Sequence, residues 1–169
     1  MNIKLVATDI DGVWTDAGMY YDNGNNQLKK FNANDGAGVL LLKTLGIPIC
    51  IVTGEETEIV KRRAEKLKIE YLFQGCDNKC SKVKSLCDEL GISLKEVAYI
   101  GDDFNDVKLL REAGISACPA NASDYIKKEA MWELKSKGGD GAFREFVERI
   151  LSENNVLDST VSKLLEKFS

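Results

Sequence analysis

The chain has 169 residues, the length of one ordinary domain with little room for a second. Its 23 Lys and Arg against 27 Asp and Glu give a formal net charge of −4, with no dense basic run, which argues against a nucleic-acid partner. No apolar stretch reaches the length of a membrane span and the first residues lack a signal-peptide pattern, so a soluble, cytoplasmic protein with no membrane partner is expected.

The chain contains no His, which removes Ser-His-Asp and Cys-His mechanisms and the commonest nitrogen ligand for metals. Catalysis would have to run on carboxylates, Lys, hydroxyls and an oxygen-ligated ion, and such a site favours Mg²⁺ over zinc. Five Cys, an odd number, read as reduced and mostly buried thiols. A zinc site from Cys76, Cys80 and Cys87 is the alternative, at a spacing that matches no common ligand pattern.

The first element is an apolar strand over residues 3–7 that runs into Thr8-Asp9-Ile10-Asp11-Gly12-Val13-Trp14-Thr15-Asp16. It delivers Asp9 and Asp11 to its carboxyl edge, where open α/β sheets build their sites, and two like charges held there call for a cation. Next, Asp22-Asn23-Gly24-Asn25-Asn26 between apolar and aromatic flanks predicts a β-hairpin over residues 18–31. Ala37 to Leu45 reads as a helix stopped at Gly46, and Ile47 to Val52 as the second core strand.

An amphipathic helix follows over 56–67, then a short strand over 71–73 and a helix over 79–90 that ends at Gly91. Ser93 and Glu96 could form a capping box, but Val97 to Ile100 is a short apolar run bounded by Gly101 and suits a strand. A helix over 104–113, a strand over 115–118, an edge strand around Trp132 and Leu134, and a helix over 142–151 complete the alternation. Residues 1–153 therefore predict an α/β domain with a doubly wound, mostly parallel sheet. The amphipathic tail over 154–169 is expected either to dock on another subunit or to pack on its own domain.

Four elements fall at predicted strand ends or helix starts: Asp9 with Asp11, Thr53-Gly54, Lys79, and Gly101-Asp102-Asp103-Phe104-Asn105-Asp106. Each alone has a bland reading as a turn, a surface charge or a helix cap. Together they suit phosphoryl transfer, because a carboxylate attacking a phosphate dianion meets repulsion of about 4 kcal/mol per close charge pair at an effective dielectric near 20. Mg²⁺ on Asp9 and Asp102 would bridge those charges, while Lys79 and Thr53 hold phosphoryl oxygens and Gly12 and Gly54 let backbone amides approach.

The four elements resemble the signature motifs of the haloacid dehalogenase superfamily of phosphohydrolases. Residues 3 to about 150 resemble its capless branch, which includes the 3-deoxy-D-manno-octulosonate 8-phosphate and 2-keto-3-deoxynononate 9-phosphate phosphatases. TDIDGVWTD, the segment from Phe31 to Gly38, GDDFND and Gly138-Gly139-Asp140-Gly141-Ala142-Phe143-Arg144-Glu145 carry that resemblance.

The resemblance implies a Rossmann-like sheet with a hairpin in place of a cap domain. It implies Asp9 as nucleophile, Asp11 as general acid and base, and Mg²⁺ on the Asp9 carboxylate, the Asp11 backbone carbonyl and Asp102, supported by Asp103 and Asp106. Lys79, Thr53, Gly54, Ile10 and Gly12 would bind phosphate. Asn78 departs from the Asp that more often precedes the Lys, which leaves the charge partner of Lys79 open.

For the substrate, the resemblance implies a phosphorylated keto-deoxy sugar acid. Glu55 stands where the octulosonate phosphatases usually have Arg, and with Arg63 and Lys66 it matches the nononate enzymes; Asp35 is expected beside them. A nine-carbon 9-phosphate of sialic-acid type is thus expected, with the eight-carbon 8-phosphate of lipopolysaccharide synthesis as rival. A non-catalytic phosphoacceptor or regulatory module is the rival of another class. The resemblance further implies a homotetramer in which one subunit covers the next one's site.

Overall fold

The protein is described here by a computed structural model covering residues 2–24 and 26–168. Asn25, within the expected hairpin turn, lies outside the described residues. The chain runs β1 (Leu5–Thr8), β2 (Tyr20–Tyr21), β3 (Gln27–Leu28), α1 (Asp35–Thr44), β4 (Ile49–Val52), α2 (Glu58–Leu67), β5 (Tyr71–Phe73) and α3 (Lys79–Leu90). It continues through β6 (Val97–Ile100), α4 (Val107–Glu112), β7 (Ile115–Cys118), α5 (Asp124–Glu129), β8 (Trp132–Glu133), α6 (Ala142–Glu153) and α7 (Leu157–Leu165).

Six strands form one sheet in the order β5-β4-β1-β6-β7-β8, with every neighbouring pair parallel. Alternation along the strands separates two cores. Val6, Ile49, Ile51, Ala98 and Ile100 face α1, α2 and α6, whereas Leu5, Ala7, Cys50, Val52, Val97 and Tyr99 face α3, α4 and α5. Burial of both faces explains the nearly continuous apolar runs of these strands.

Several helices stop by the same device. In α1, Gly46 takes φ +69° and Ile47 N donates to Leu42 O, a six-to-one bond that satisfies a terminal carbonyl. Ile92 N bonds Cys87 O behind Gly91 in the same way, and Ile69 N bonds Ala64 O behind Lys68, a non-glycine at φ +52°. This use of Ile47 is why the strand expected from residue 47 begins at Ile49.

Two further departures have local causes. The helix expected over 104–113 opens as a 3₁₀ turn, Phe104–Asp106, capped by Asp103, before α4 starts. The short α5 carries no periodic signal because Ile126 is its only buried residue; its start is marked by Ser123, whose hydroxyl accepts from Ile126 N.

The hairpin follows the central strand β1 as a separate antiparallel pair, β2 with β3, with a bridge between Thr15 and Phe31 at its base. Met19, Tyr20, Tyr21 and Leu28 are exposed on it. The C-terminal segment folds onto its own domain: Val156, Leu157, Val161 and Leu164 pack against the core beneath α1 and α6.

All five Cys are free, and Cys76 alone among them is not buried. Among the described residues, the side chains grouped closely enough to hold a metal are Asp9, Asp102 and Asp106, and Cys76, Cys80 and Cys87 form no such group.

Candidate active site

From β1 the chain passes to β4 on one side, and it later returns to β6 on the other. The carboxyl ends of these two neighbours therefore open a crevice at the reversal of strand order. Asp9 and Asp11 follow β1 there, Asp102 and Asp103 follow β6, and Thr53, Gly54 and Glu55 follow β4.

The loop after β1 coils around one carbonyl. Val13 N, Trp14 N and Thr15 N all donate to Ile10 O, at 3.1, 2.9 and 3.2 Å. Trp14 is fully buried against Phe143, with ring centroids 4.4 Å apart, and its Nε1 donates to Thr8 Oγ1 at 2.9 Å, which in turn donates to Asp9 O. The late sequence braces the same loop: Gly139 N donates to Val13 O, and a Cβ at Gly138 would lie 1.9 Å from Gly12 O. Gly12 itself sits at φ +85°, and a Cβ there would lie 1.8 Å from Asp102 Oδ2. Only glycine lets the two acidic loops approach this closely.

Lys79 is 1% exposed, and its Nζ lies 2.9 Å from Asp9 Oδ2, 2.7 Å from Asp106 Oδ1 and 3.3 Å from Asn105 Oδ1. This answers the question raised by Asn78, which caps α3 by accepting from Ser81 N while Asp9 and Asp106 supply the charge partners. Asp106 is fully engaged: Oδ1 accepts from Lys79 and Tyr99, and Oδ2 accepts from Asp102 N and Asp103 N. Asp103, which is exposed, accepts from Phe104 N.

Asp9 Oδ1 and Asp102 Oδ1 differ from Asp106 in being buried without a hydrogen-bond partner. Burial, then the charge of Asp106, pushes the Asp9 carboxyl up to about 7 against the pull of Lys79. Burial, then Asp9 and Asp106, pushes Asp102 up to about 8. Two orphaned carboxylate oxygens on residues grouped closely enough to share an ion fit an oxygen-loving divalent cation. Asp106 lies within the same cluster, yet its occupied lone pairs make it a positioning residue between the loop and Lys79.

A cleft of about 240 Å³ is lined by Asp9, Asp11, Thr53, Gly54, Glu55, Lys79, Asp102 and Asp103, together with Ala17, Met19 and Asn105. Ile10 and Gly12, expected at the phosphate, are not among these lining residues, and the Ile10 side chain lies in the core. Three expected substrate residues stand elsewhere. Arg63 and Lys66 line a separate open groove with Phe31, because α2 carries them away from the loop that holds Glu55. Arg63 Nη2 donates to Asn32 O and its guanidinium lies over the Phe31 ring, while its Nε is buried without a hydrogen-bond partner. Asp35 is fully buried and accepts from Arg144 N, which anchors the first turn of α6 to α1.

One residue held behind the cleft by its lining carboxylates carries no sequence signal. Lys29, at the foot of the hairpin, turns its side chain inward to 2% exposure and bridges Asp11 Oδ1 at 2.5 Å and Glu55 Oε2 at 2.7 Å. Burial would lower its pKa, but the two carboxylates raise it overall and hold the ammonium charged. Thr15 Oγ1 adds a second donor to Asp11 Oδ1, at 3.3 Å.

Comparison with known proteins places this arrangement. A family model for haloacid dehalogenase-like hydrolases matches residues 72–146. The 3-deoxy-D-manno-octulosonate 8-phosphate phosphatase KdsC of Escherichia coli K12 is 35% identical over 157 residues, covering 93% of this chain and 84% of that protein. Its counterpart from Haemophilus influenzae is 36% identical over 89% of this chain and 83% of its own length. The crystal structure of the Moraxella catarrhalis 3-deoxy-D-manno-octulosonate 8-phosphate phosphatase, in complex with magnesium, phosphate and KDO, superposes with a TM-score of 0.92. That match has 37% identity and covers 95% of this chain and 92% of the other. With sequence and fold alike matched over nearly its whole length, the chain belongs to the haloacid dehalogenase-like hydrolases, in their capless sugar-acid phosphatase branch.

Proposed function

We propose that the chain is a Mg²⁺-dependent phosphatase of a phosphorylated 3-deoxy-2-keto sugar acid, with 3-deoxy-D-manno-octulosonate 8-phosphate as its substrate. The observation that carries the chemistry is the pair of orphaned oxygens on Asp9 and Asp102 beside the buried Lys79. The curated relatives, matched over 93% of the chain, support the eight-carbon substrate.

In this reading Asp9 attacks the phosphorus and forms an aspartyl-phosphate, while Asp11 gives a proton to the departing sugar oxygen and later takes one from the attacking water. Lys79 neutralises the phosphoryl group and fixes Asp9, and Thr53, Gly54 and the backbone at Ile10 and Gly12 hold the remaining oxygens. Asp9, Asp102 and the Asp11 carbonyl would hold Mg²⁺, with Asp103 and Asp106 outside them. When bound, Mg²⁺ supplies the positive charge that lets a carboxylate meet a phosphate dianion.

A second reading, the nine-carbon 9-phosphate of sialic-acid-type synthesis, is favoured by Glu55, whose carboxylate stands at the cleft and can accept hydrogen bonds from sugar hydroxyls. For Arg63 and Lys66 to join it, they would have to come from a neighbouring subunit. A cytoplasmic homotetramer accords with that, and the exposed Met19, Tyr20, Tyr21 and Leu28 of the hairpin offer an apolar contact. Among the described residues, no helix is long and apolar enough to cross a membrane.

The test is phosphate release with Mg²⁺ over eight-carbon, nine-carbon and hexose phosphates. The proposal expects kcat/KM for the eight-carbon ester to lead by about tenfold or more, about 1.4 kcal/mol. A tenfold lead for a nine-carbon ester would replace it with the second reading, and absence of turnover on every ester would refute both. A monomeric mass by light scattering at full activity would remove the tetramer.

A further inference from the structure

The hairpin does more than border the cleft, because it delivers Lys29. Both hydrogen bonds given to the Asp11 carboxyl, from Lys29 Nζ at 2.5 Å and Thr15 Oγ1 at 3.3 Å, fall on Oδ1. Lys29 is held in turn by Glu55 Oε2 at 2.7 Å, from the loop after β4. Two donors, one from the hairpin and one from the loop after β1, thus meet on one oxygen of the proposed proton-transfer group, and the other oxygen, Oδ2, is left to the cleft that Asp11 lines.

We propose that Lys29 is a positioning residue for proton transfer: it clamps Asp11 through Oδ1 so that Oδ2 faces the leaving-group oxygen. The proton passes from Asp11 Oδ2 to the sugar oxygen as the P–O bond breaks. It returns to Oδ2 from the water that cleaves the aspartyl-phosphate, so the carboxyl is restored after each turnover. Lys29 takes no part in either transfer. Its ammonium prevents the short side chain from rotating toward Asp9 and the cation-binding oxygens, a rotation that would put its proton out of reach of the substrate.

The bridge to Glu55 gives the clamp a second property. Because Glu55 also lines the cleft, substrate hydroxyls that draw on its carboxylate act on the same ammonium that orients Asp11. Occupation of the sugar site and alignment of the acid are then linked through one side chain.

This inference rests on the general-acid reading of Asp11, and the test separates the two. First-turnover release is measured with saturating Mg²⁺ on p-nitrophenyl phosphate, whose leaving group departs without a proton, and on whichever alkyl phosphate of the panel is cleaved fastest. Asp11→Asn should slow the alkyl ester by about 100-fold or more and the aryl ester by less than about threefold. Lys29→Met should reproduce that leaving-group dependence at about 30-fold, and Lys29→Arg should recover part of the alkyl rate. A structural defect in Lys29→Met would slow both esters alike, which would overturn the proposal, as would unchanged rates on both. If Lys29→Met folds poorly by circular dichroism, Lys29→Gln takes its place in the same comparison. Loss of discrimination already in Asp11→Asn would refute the acid reading, and the clamp with it.

Discussion

Lys79 and Asp106 form an ion pair 2.7 Å long with neither side chain exposed to solvent. Such a pair gains little over an apolar replacement of the whole pair, but breaking it from one side strands a buried charge. Here two would be stranded, because Asp9 also depends on Lys79. Lys79→Met should therefore lower the urea-derived unfolding free energy by about 3–5 kcal/mol and abolish turnover. A loss below about 1 kcal/mol would show that Lys79 serves chemistry alone.

Asp102 should show the opposite balance. Its folded pKa of about 8 lies above the ordinary 3.8, so the native chain binds more protons than the unfolded one between those values, and stability falls as pH rises through that window. In EDTA at pH above 8, Asp102→Asn should be more stable than the parent by about 2 kcal/mol. Millimolar Mg²⁺ should reverse the order, since it stabilises only the chain that binds it. Paired urea titrations with and without Mg²⁺ check both signs.

The buried Asp35 predicts a second pH effect away from the cleft. Burial pushes it up to about 6 against the hydrogen bonds from the Arg144 and Phe143 amides. Its ionisation therefore destabilises the fold from about pH 4 to 6 and leaves a constant cost above. Asp35→Asn keeps the acceptor and should remove up to about 3 kcal/mol of that fall, seen as a flatter stability-pH curve than the parent's. Unchanged KM for the variant would confirm that Asp35 anchors α6 without touching substrate.

Gly138→Ala should damage the site from outside it. Its methyl would meet the backbone oxygen of Gly12 at 1.9 Å, with no flexible side chain to give way, so the loop after β1 must move. The expected cost is about 2–4 kcal/mol in stability, with kcat falling and Mg²⁺ affinity weakened as Asp9 and Asp102 separate. Isothermal titration with Mg²⁺ would read the second effect directly.

The sheet and the acidic loops were legible in the sequence because their signals are local. Apolar runs end at Asp9 and Gly101, and glycines mark the stops of α1 and α3. What was not legible depends on distant chain. Lys29 sits beside Lys30 in an exposed hairpin and reads as a surface charge until Asp11 and Glu55 draw it inward. Asp35 reads as a cleft residue, and only Arg144, 109 positions later, makes it an anchor. Arg63 and Lys66 lie near Glu55 in sequence, but α2 carries them to a different groove. The nine-carbon expectation rests on the match of Glu55, Arg63 and Lys66 to the nononate enzymes, and within one chain Arg63 and Lys66 line a groove apart from the cleft that Glu55 lines.

The contacts of Gly138 and Gly139 with residues 12–16 join the first loop of the chain to a segment more than a hundred positions later. A nascent polypeptide that has already emitted both acidic loops still lacks the brace that seats the first of them. Competence for chemistry should thus arrive late in synthesis, and a chain cut short before α6 would hold the reactive carboxylates yet be unable to align them.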